Sequence, residues 1–254
     1  MKKQLKDVKK HFSDVSNNYR GWYKEEIDPL GAYMFNVRKK KTLSLITKTK
    51  GKVLDVGCGP GILIDEIIKD KKCEYFGIDI SEKMIKEAVK KYKIQKKAHF
   101  SVGNAEKLDF PDKCFDVVIA LGLLEYLDNP KDAFKEVNRI LKDDGELIVS
   151  FCNRRSIYNK SYKFLGTPIK YAYHKIKKTP YIYHKMYTET DAGKLVKDLD
   201  LAVEKVVYYD ANLSIFPINY LFKKQTVRFS SPFENKKCGM IHTGFLMKYK
   251  KEIR

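Results

Sequence analysis

The 254-residue sequence contains no apolar run close to the ~18 residues that a membrane-crossing helix needs; the longest, residues 115–124 and 213–222, fall well short. Its basic N-terminus, MKKQLKDVKKHFSD, has no apolar stretch behind it, which predicts the absence of a secretory signal. Cysteine is sparse. Five residues, at positions 58, 73, 114, 152 and 238, are odd in number and form no C-x-x-C pair. That pattern excludes a disulfide framework and a zinc knuckle, and predicts reduced thiols in a cytoplasmic protein with no metal centre. Arginine is scarce as well: seven residues against 44 lysines, within a net charge of +19. Specific nucleic-acid readers favour arginine, whose planar fork matches phosphates and guanine edges. A lysine surplus spread along the chain therefore reads as composition bias, except where it proves local.

What is present suffices for a packed core. Hydrophobic residues make up 43% and charged residues 33%, so wholesale disorder is excluded. The length suits one sizeable α/β domain with room for an elaboration. Residues 1–50 read as a helical cap, with charged and aromatic residues mixed and few turn signals. From Lys52 short apolar runs alternate with amphipathic stretches: KVLDV, ILIDEIIKD, YFGIDI, SEKMIKEAVKKY, HFSV, FDVVIAL, PKDAFKEVNRILK and ELIVSF. The runs predict strands and the stretches helices, with Ser81 as an N-cap, Pro130 as a start, and Asp144-Gly145 as a stop and turn. Such alternation predicts a parallel sheet with helices on both faces. The rhythm breaks after Ser150. Residues 153–187 read as an inserted cap of helix and loop, and residues 210–235 as a second. Between and beyond them the pattern predicts a helix over 188–201 and strands over 202–209 and 244–250.

The sharpest signal is VLDVGCGPG at 53–61, an apolar strand running into glycines at 57, 59 and 61, with a helix behind. Glycines there permit a tight turn and let a ligand approach the backbone. A dinucleotide fingerprint would place glycine at position 62, which is Ile62, so a nicotinamide dehydrogenase is disfavoured; no Gly-Lys-Ser/Thr follows, which excludes a P-loop. Asp55 in the strand end is awkward beside a pyrophosphate but suits a cationic amine. Asp79 ends the second strand, where a carboxylate can accept both ribose hydroxyls of a bound nucleoside.

Together VLDVGCGPG, GIDIS, GNAEKLDFPDKCFDVVIALGLLEYLDNP and LKDDGELIVSF resemble the class I S-adenosylmethionine-dependent methyltransferases, closely over about residues 50–152 and in outline on the flanks. The resemblance implies a three-layer Rossmann-like fold with a seven-stranded sheet, six strands parallel and one antiparallel near the end. It implies S-adenosyl-L-methionine as cofactor and S-adenosyl-L-homocysteine as product. By position, Gly57, Cys58 and Gly59 resemble the segment against the methionine part of the cofactor, and Asp55 the acidic residue near its amino group. Asp79 resembles the ribose-binding carboxylate and Ile80 the apolar residue under adenine. Asn104 and Ala105 resemble the segment that addresses the adenine amino group, with Asn where Asp is commoner. Leu121-Gly122 resembles the strand-4 exit beside the methyl donor. Tyr126 stands where many relatives carry histidine. His11-Phe12-Ser13 and Tyr19 resemble an entry helix whose tyrosine closes over the methionine end; Phe12 and Tyr19 equally suit the buried stripe of an ordinary helix.

Methyl transfer is an in-line displacement that needs alignment and, for an acceptor of high pKa, a base. His184, within the cap that would cover the acceptor, is the preferred base, with Tyr126 as a second catalytic candidate. His99 and His242 read as structural. Residues 154–187 combine nine Lys or Arg with eight Tyr or Phe and no Asp or Glu, so here the charge is local. Such a segment suits an RNA groove, an interfacial element on an anionic membrane, a lid over an anionic substrate, or a solvated excursion. The preferred acceptor is a small or amphiphilic molecule, such as a lipid, quinone-like or glycan-lipid intermediate. A tRNA or rRNA acceptor and a non-catalytic binding subunit are the alternatives.

Overall fold

A computed structural model describes residues 3–177, 179 and 181–252. Seven strands form one sheet in the order β3-β2-β1-β4-β5-β7-β6: β1 (Lys52–Val56), β2 (Glu74–Asp79), β3 (Ala98–Val102), β4 (Phe115–Ala120), β5 (Leu141–Cys152), β6 (Leu201–Ala211) and β7 (His242–Lys251). Strand β7 runs antiparallel between β5 and β6. This is the seven-stranded, mostly parallel arrangement expected from the motifs. Helices α3 (Ile64–Lys71), α4 (Glu82–Lys91) and α5 (Pro130–Ile140) connect the parallel strands.

The central strands are buried on both faces, hence their near-continuous apolar sequence. Leu54, Val56, Val118 and Leu147 join Phe134 and Val137 of α5 on one face. Val53, Val117, Ile119 and Ile148 join Ile64 and Ile67 of α3 on the other. Strand order reverses between β1 and β4, and in open α/β sheets the crevice at that switch point receives ligands at the carboxyl ends of the strands.

Two further helices cover that end. The first, α1 (Lys3–Val15), carries Leu5, Val8 and Phe12 at helical spacing, and all three face the crevice. It is held there by Gln4, which donates to the Tyr126 carbonyl at 3.2 Å, by Ser13 against Ser81 at 2.9 Å, and by the Lys9–Glu82 ion pair at 3.0 Å. The second, α2 (Pro29–Leu45), packs against β6 and buries Ala32, Arg38, Thr42 and Leu45.

Several boundaries differ from the sequence expectation. Asp144-Gly145 does not separate a helix from a strand: β5 begins at Leu141, and the pair forms an irregularity within it, with Asp144 at φ 61°. The helix expected over 188–201 is shorter, α8 (Glu189–Leu195), closed at its start by a reciprocal cap between Thr188 and Asp191. The 153–187 segment is largely helical: α6 (Ile157–Ser161), a wide turn over Tyr162–Gly166, and α7 (Thr167–Ile176). The second cap holds α9 (Ile218–Leu221) and α10 (Lys223–Ser230).

Candidate active site

The crevice is a cleft of about 670 Å³ lined by the glycine loop, the ends of β2 and β4, the β3 exit and the N-terminal helix. Gly57, Gly59 and Gly61 have φ of 77°, 53° and 74°, which side chains other than glycine rarely adopt. A Cβ on Gly61 would also sit 2.5 Å from Ile64 Cδ1, so an alanine there would have to displace that side chain. The loop is tied to β2 by Gly57 and Cys58, whose amides donate to the Ile78 carbonyl at 2.8 and 2.9 Å.

Asp79 organises the floor. One carboxylate oxygen accepts the Gly59 amide at 2.9 Å and the other the Ser81 amide at 2.8 Å, so this side chain ties the glycine loop to the start of α4. Burial pushes its pKa up, and the two amides oppose that by favouring the charged form. Its own carbonyl accepts the Gly103 amide at 3.0 Å, bringing the β3 exit alongside. There Asn104 Oδ1 accepts the Glu106 amide at 3.0 Å, so that oxygen is partly committed to the turn. Across the cleft, the Gly122 amide donates to Ser150 Oγ at 2.7 Å and fixes the β4 exit.

Of the residues singled out from sequence, Tyr19, Gly57, Gly59, Asp79, Ile80, Asn104, Ala105, Leu121 and Tyr126 all line the cleft. Asp55, Cys58 and His184 do not. Asp55 is buried beneath the loop, where it accepts the Tyr75 hydroxyl at 2.7 Å; burial raises its pKa to about 7. Cys58 turns its thiol back toward the sheet, into space that exists because residue 77 is glycine; a Cβ there would lie 2.9 Å from Sγ. His184 stands behind Tyr126, with ring centroids 4.9 Å apart. The residue as a whole is exposed, yet surrounding protein atoms desolvate its ring, and with Lys170 and His11 they hold its pKa down to about 4. Burial and the Glu125 carboxylate push the Tyr126 hydroxyl well above its ordinary pKa.

Three rings, Phe12, Tyr19 and Tyr126, form an aromatic wall, with Phe12 edge-on to Tyr126 at 5.3 Å and 6.5 Å from Tyr19. Arg20 locks the Tyr19 turn to the loop by donating to the Pro60 carbonyl. Aromatic faces attract a cation such as a sulfonium. The Asp79 carboxylate, the bare backbone of the glycine loop and an aromatic wall fit an adenosyl sulfonium.

The residues matching a family model described as a methyltransferase domain are 54–149, which include β1, the glycine loop, Asp79 and the β4 exit. Residues 54–149 thus match a methyltransferase domain, and the seven-stranded sheet has the fold of class I methyltransferases. The S-adenosylmethionine-dependent members of that family set the expectation for its cofactor. The chain is 26% identical over 144 residues to phosphatidylethanolamine N-methyltransferase of Cereibacter sphaeroides, covering 53% of the chain and 66% of the relative. It is 28% identical over 159 residues to ubiquinone biosynthesis O-methyltransferase of Nitrosospira multiformis, covering 61% and 64%. The matches thus span less than two thirds of these relatives. The fold is shared with magnesium protoporphyrin IX methyltransferase of Synechocystis, solved with bound S-adenosylhomocysteine, at a TM-score of 0.67 and 15% identity over 96% of this chain and 98% of that one.

A buried polar group behind the β4 exit escaped the sequence reading. The Arg38 guanidinium of α2 is buried against Tyr23 and Tyr209, and a Cβ on Gly122 would lie 3.0 Å from Nη1. Nearby Glu125 is buried, with one oxygen facing the Cys152 thiol at 3.8 Å and the other without a hydrogen-bond partner among the described residues. Burial raises the Glu125 pKa, and Arg38 opposes the rise. The only sequence trace of Arg38 is that it is the one arginine at the head of a lysine run.

Proposed function

We propose that the chain is an S-adenosylmethionine-dependent methyltransferase acting on a small-molecule or amphiphilic acceptor of the lipid or quinone-like kind. The observation that carries this reading is the Asp79 carboxylate, held by two amides at the floor of a cleft whose walls include the glycine loop and the β4 exit. The names of the relatives support the acceptor class, since one acts on phosphatidylethanolamine and another serves ubiquinone biosynthesis.

When bound, S-adenosylmethionine would supply an electrophilic methyl group on its sulfonium. Asp79 then accepts the ribose hydroxyls, Ile80 and Ala105 flank the base, and Asn104 borders its amino edge. The segment Gly57–Gly59 would lie against the methionine part, and Asp55, engaged by Tyr75 beneath the loop, would support the strand end from below. Leu121 brings the β4 exit beside the methyl donor. Phe12, Tyr19 and Tyr126 exclude water from the sulfonium side, which strengthens every charge interaction there. With its raised pKa, Tyr126 keeps its proton and serves as a hydroxyl donor that orients the acceptor. His184 stands behind Tyr126 and outside the cleft lining, so it does not take up the acceptor's proton. Residues 1–50 and the segments 153–187 and 210–235 act as caps over this site.

Calorimetry with S-adenosylhomocysteine, and transfer of label from methyl-labelled S-adenosylmethionine into lipid extracts, test the reading. Binding is expected in the wild type, and Tyr126→Phe, which keeps the ring and removes the hydroxyl, is expected to lower turnover by roughly 10-fold with little change in cofactor affinity. No heat of binding in the wild type would overturn the proposal, and label entering tRNA or rRNA instead of lipid would overturn its acceptor class.

A further inference from the structure

A surface helix of a globular protein normally turns its apolar stripe inward. Helix α7 does the reverse: none of its residues is buried, and Ile169, Tyr173 and Ile176, spaced four and three apart, are all exposed. Short helices rarely persist in water without a packed apolar face, so this stripe lacks the partner its sequence is built for. The same holds across the second cap. Phe164, Ile169 and Ile176 of the first cap and Leu221, Phe222 and Phe229 of the second are between 54% and 81% exposed.

The two caps are one surface. The Phe216 amide donates to Ser161 Oγ at 3.0 Å, and the Phe216 ring meets Tyr162 edge-on at 5.1 Å. Charge within the two caps has one sign: no Asp or Glu occurs between Glu146 and Glu189, or between Asp210 and Glu234, and the acid that meets α10, Asp28, is paired with Lys223 at 3.0 Å. Arg154 and Arg155 are used internally, against Asp191 and Glu189, and Lys185 donates to the carbonyls of Leu127 and Asp128. Lys160, Lys163, Lys175 and Lys177 form no ion pair among the described residues. The surface also borders the cleft, through the Lys185 amide on the Glu125 carbonyl and the His184 ring on Tyr126.

We propose that α7 and the α9–α10 segment form a docking face for an anionic lipid bilayer, beside the mouth of the cleft. Lysines draw the face to anionic headgroups, and the exposed Ile, Leu and Phe side chains enter the acyl boundary. The unpaired cations are lysines rather than arginines, and isoleucine and leucine stand among the exposed side chains, which favours lipid over RNA. That an amphiphilic acceptor reaches the cleft along this face rests on the methyltransferase reading; the docking itself does not.

Co-sedimentation of the full chain with vesicles of phosphatidylcholine alone, and of phosphatidylcholine mixed with phosphatidylglycerol, tests the proposal. Binding is expected to the anionic vesicles, weakening as salt rises. Combined Lys163→Gln, Lys175→Gln and Lys177→Gln should weaken it roughly 100-fold, from about fivefold per lysine. Ile169→Ser with Ile176→Ser should lower it at low salt also; α7 buries no residue, so neither variant disturbs the core. Equal binding to both vesicle types, wild-type binding by either variant, preference for total tRNA, or a dimer dissolved by the isoleucine changes would each overturn the docking face. Vesicle binding without S-adenosylhomocysteine binding would leave the face standing and remove the methyltransferase reading, whereas cofactor binding without vesicle binding would remove the face alone.

Discussion

Replacing Asp79 by alanine strips the acceptors from two buried amides, those of Gly59 and Ser81, at 2.9 and 2.8 Å. Hydrogen bonds to a charged group are worth about 1.5–3 kcal/mol each. Part of that is offset because burial itself disfavours the carboxylate, as its raised pKa indicates. A net stability loss of about 2–4 kcal/mol is expected, read as a lower urea midpoint with an unchanged slope. Cofactor binding should suffer further, because the same carboxylate is the group assigned to the ribose hydroxyls. Losing about 2–4 kcal/mol of charged hydrogen bonding raises the dissociation constant for S-adenosylhomocysteine roughly 30- to 1,000-fold. Asp79→Asn separates geometry from charge. Its single oxygen can satisfy one amide, but its NH2 must then face the other as donor against donor, so asparagine should rescue little of either loss. Calorimetry and urea titration on the same samples give both quantities. An alanine variant that binds S-adenosylhomocysteine like the wild type, or an asparagine variant as stable and as tightly binding, would refute the reasoning.

Two further outcomes follow from buried charges. Asp55 has a folded pKa of about 7 against 3.8 for the free group, so between those values the folded state holds the extra proton and stability falls as pH rises from about 4 to 7. Asp55→Asn, which can still accept the Tyr75 hydroxyl, should flatten that decline and gain up to about 4 kcal/mol at pH 8 relative to its effect at pH 4; parallel pH profiles of the urea midpoint would count against it. Lys248 on β7 is buried 3.0 Å from the buried Glu146 of β5, and it also meets the half-exposed Glu204. Lys248→Met should cost about 3–5 kcal/mol, because it strands the Glu146 charge, and Lys248→Met with Glu146→Gln should recover a good part; a single variant with wild-type thermal stability would contradict this.

The strand–helix alternation, the glycine loop, the Ser81 cap and the carboxylate at the end of β2 were legible from sequence because each is a local pattern, read within a few residues or one strand–helix unit. For the same reason most of the residues that the family resemblance assigns to the cofactor come together around one cleft. What needed the tertiary structure is what distant segments do to one another. Asp55 reads as a site residue until Tyr75, from the neighbouring strand, takes its carboxylate beneath the loop. His184 reads as a base facing the acceptor until packing sets it behind Tyr126 and desolvates it. Arg38 looks like one more cation in a lysine run until α2 buries it at the β4 exit. An apolar stripe in sequence cannot say which way it faces: periodicity specifies that Ile169, Tyr173 and Ile176 share a side of α7, and only the packing of the two caps decides that this side looks outward.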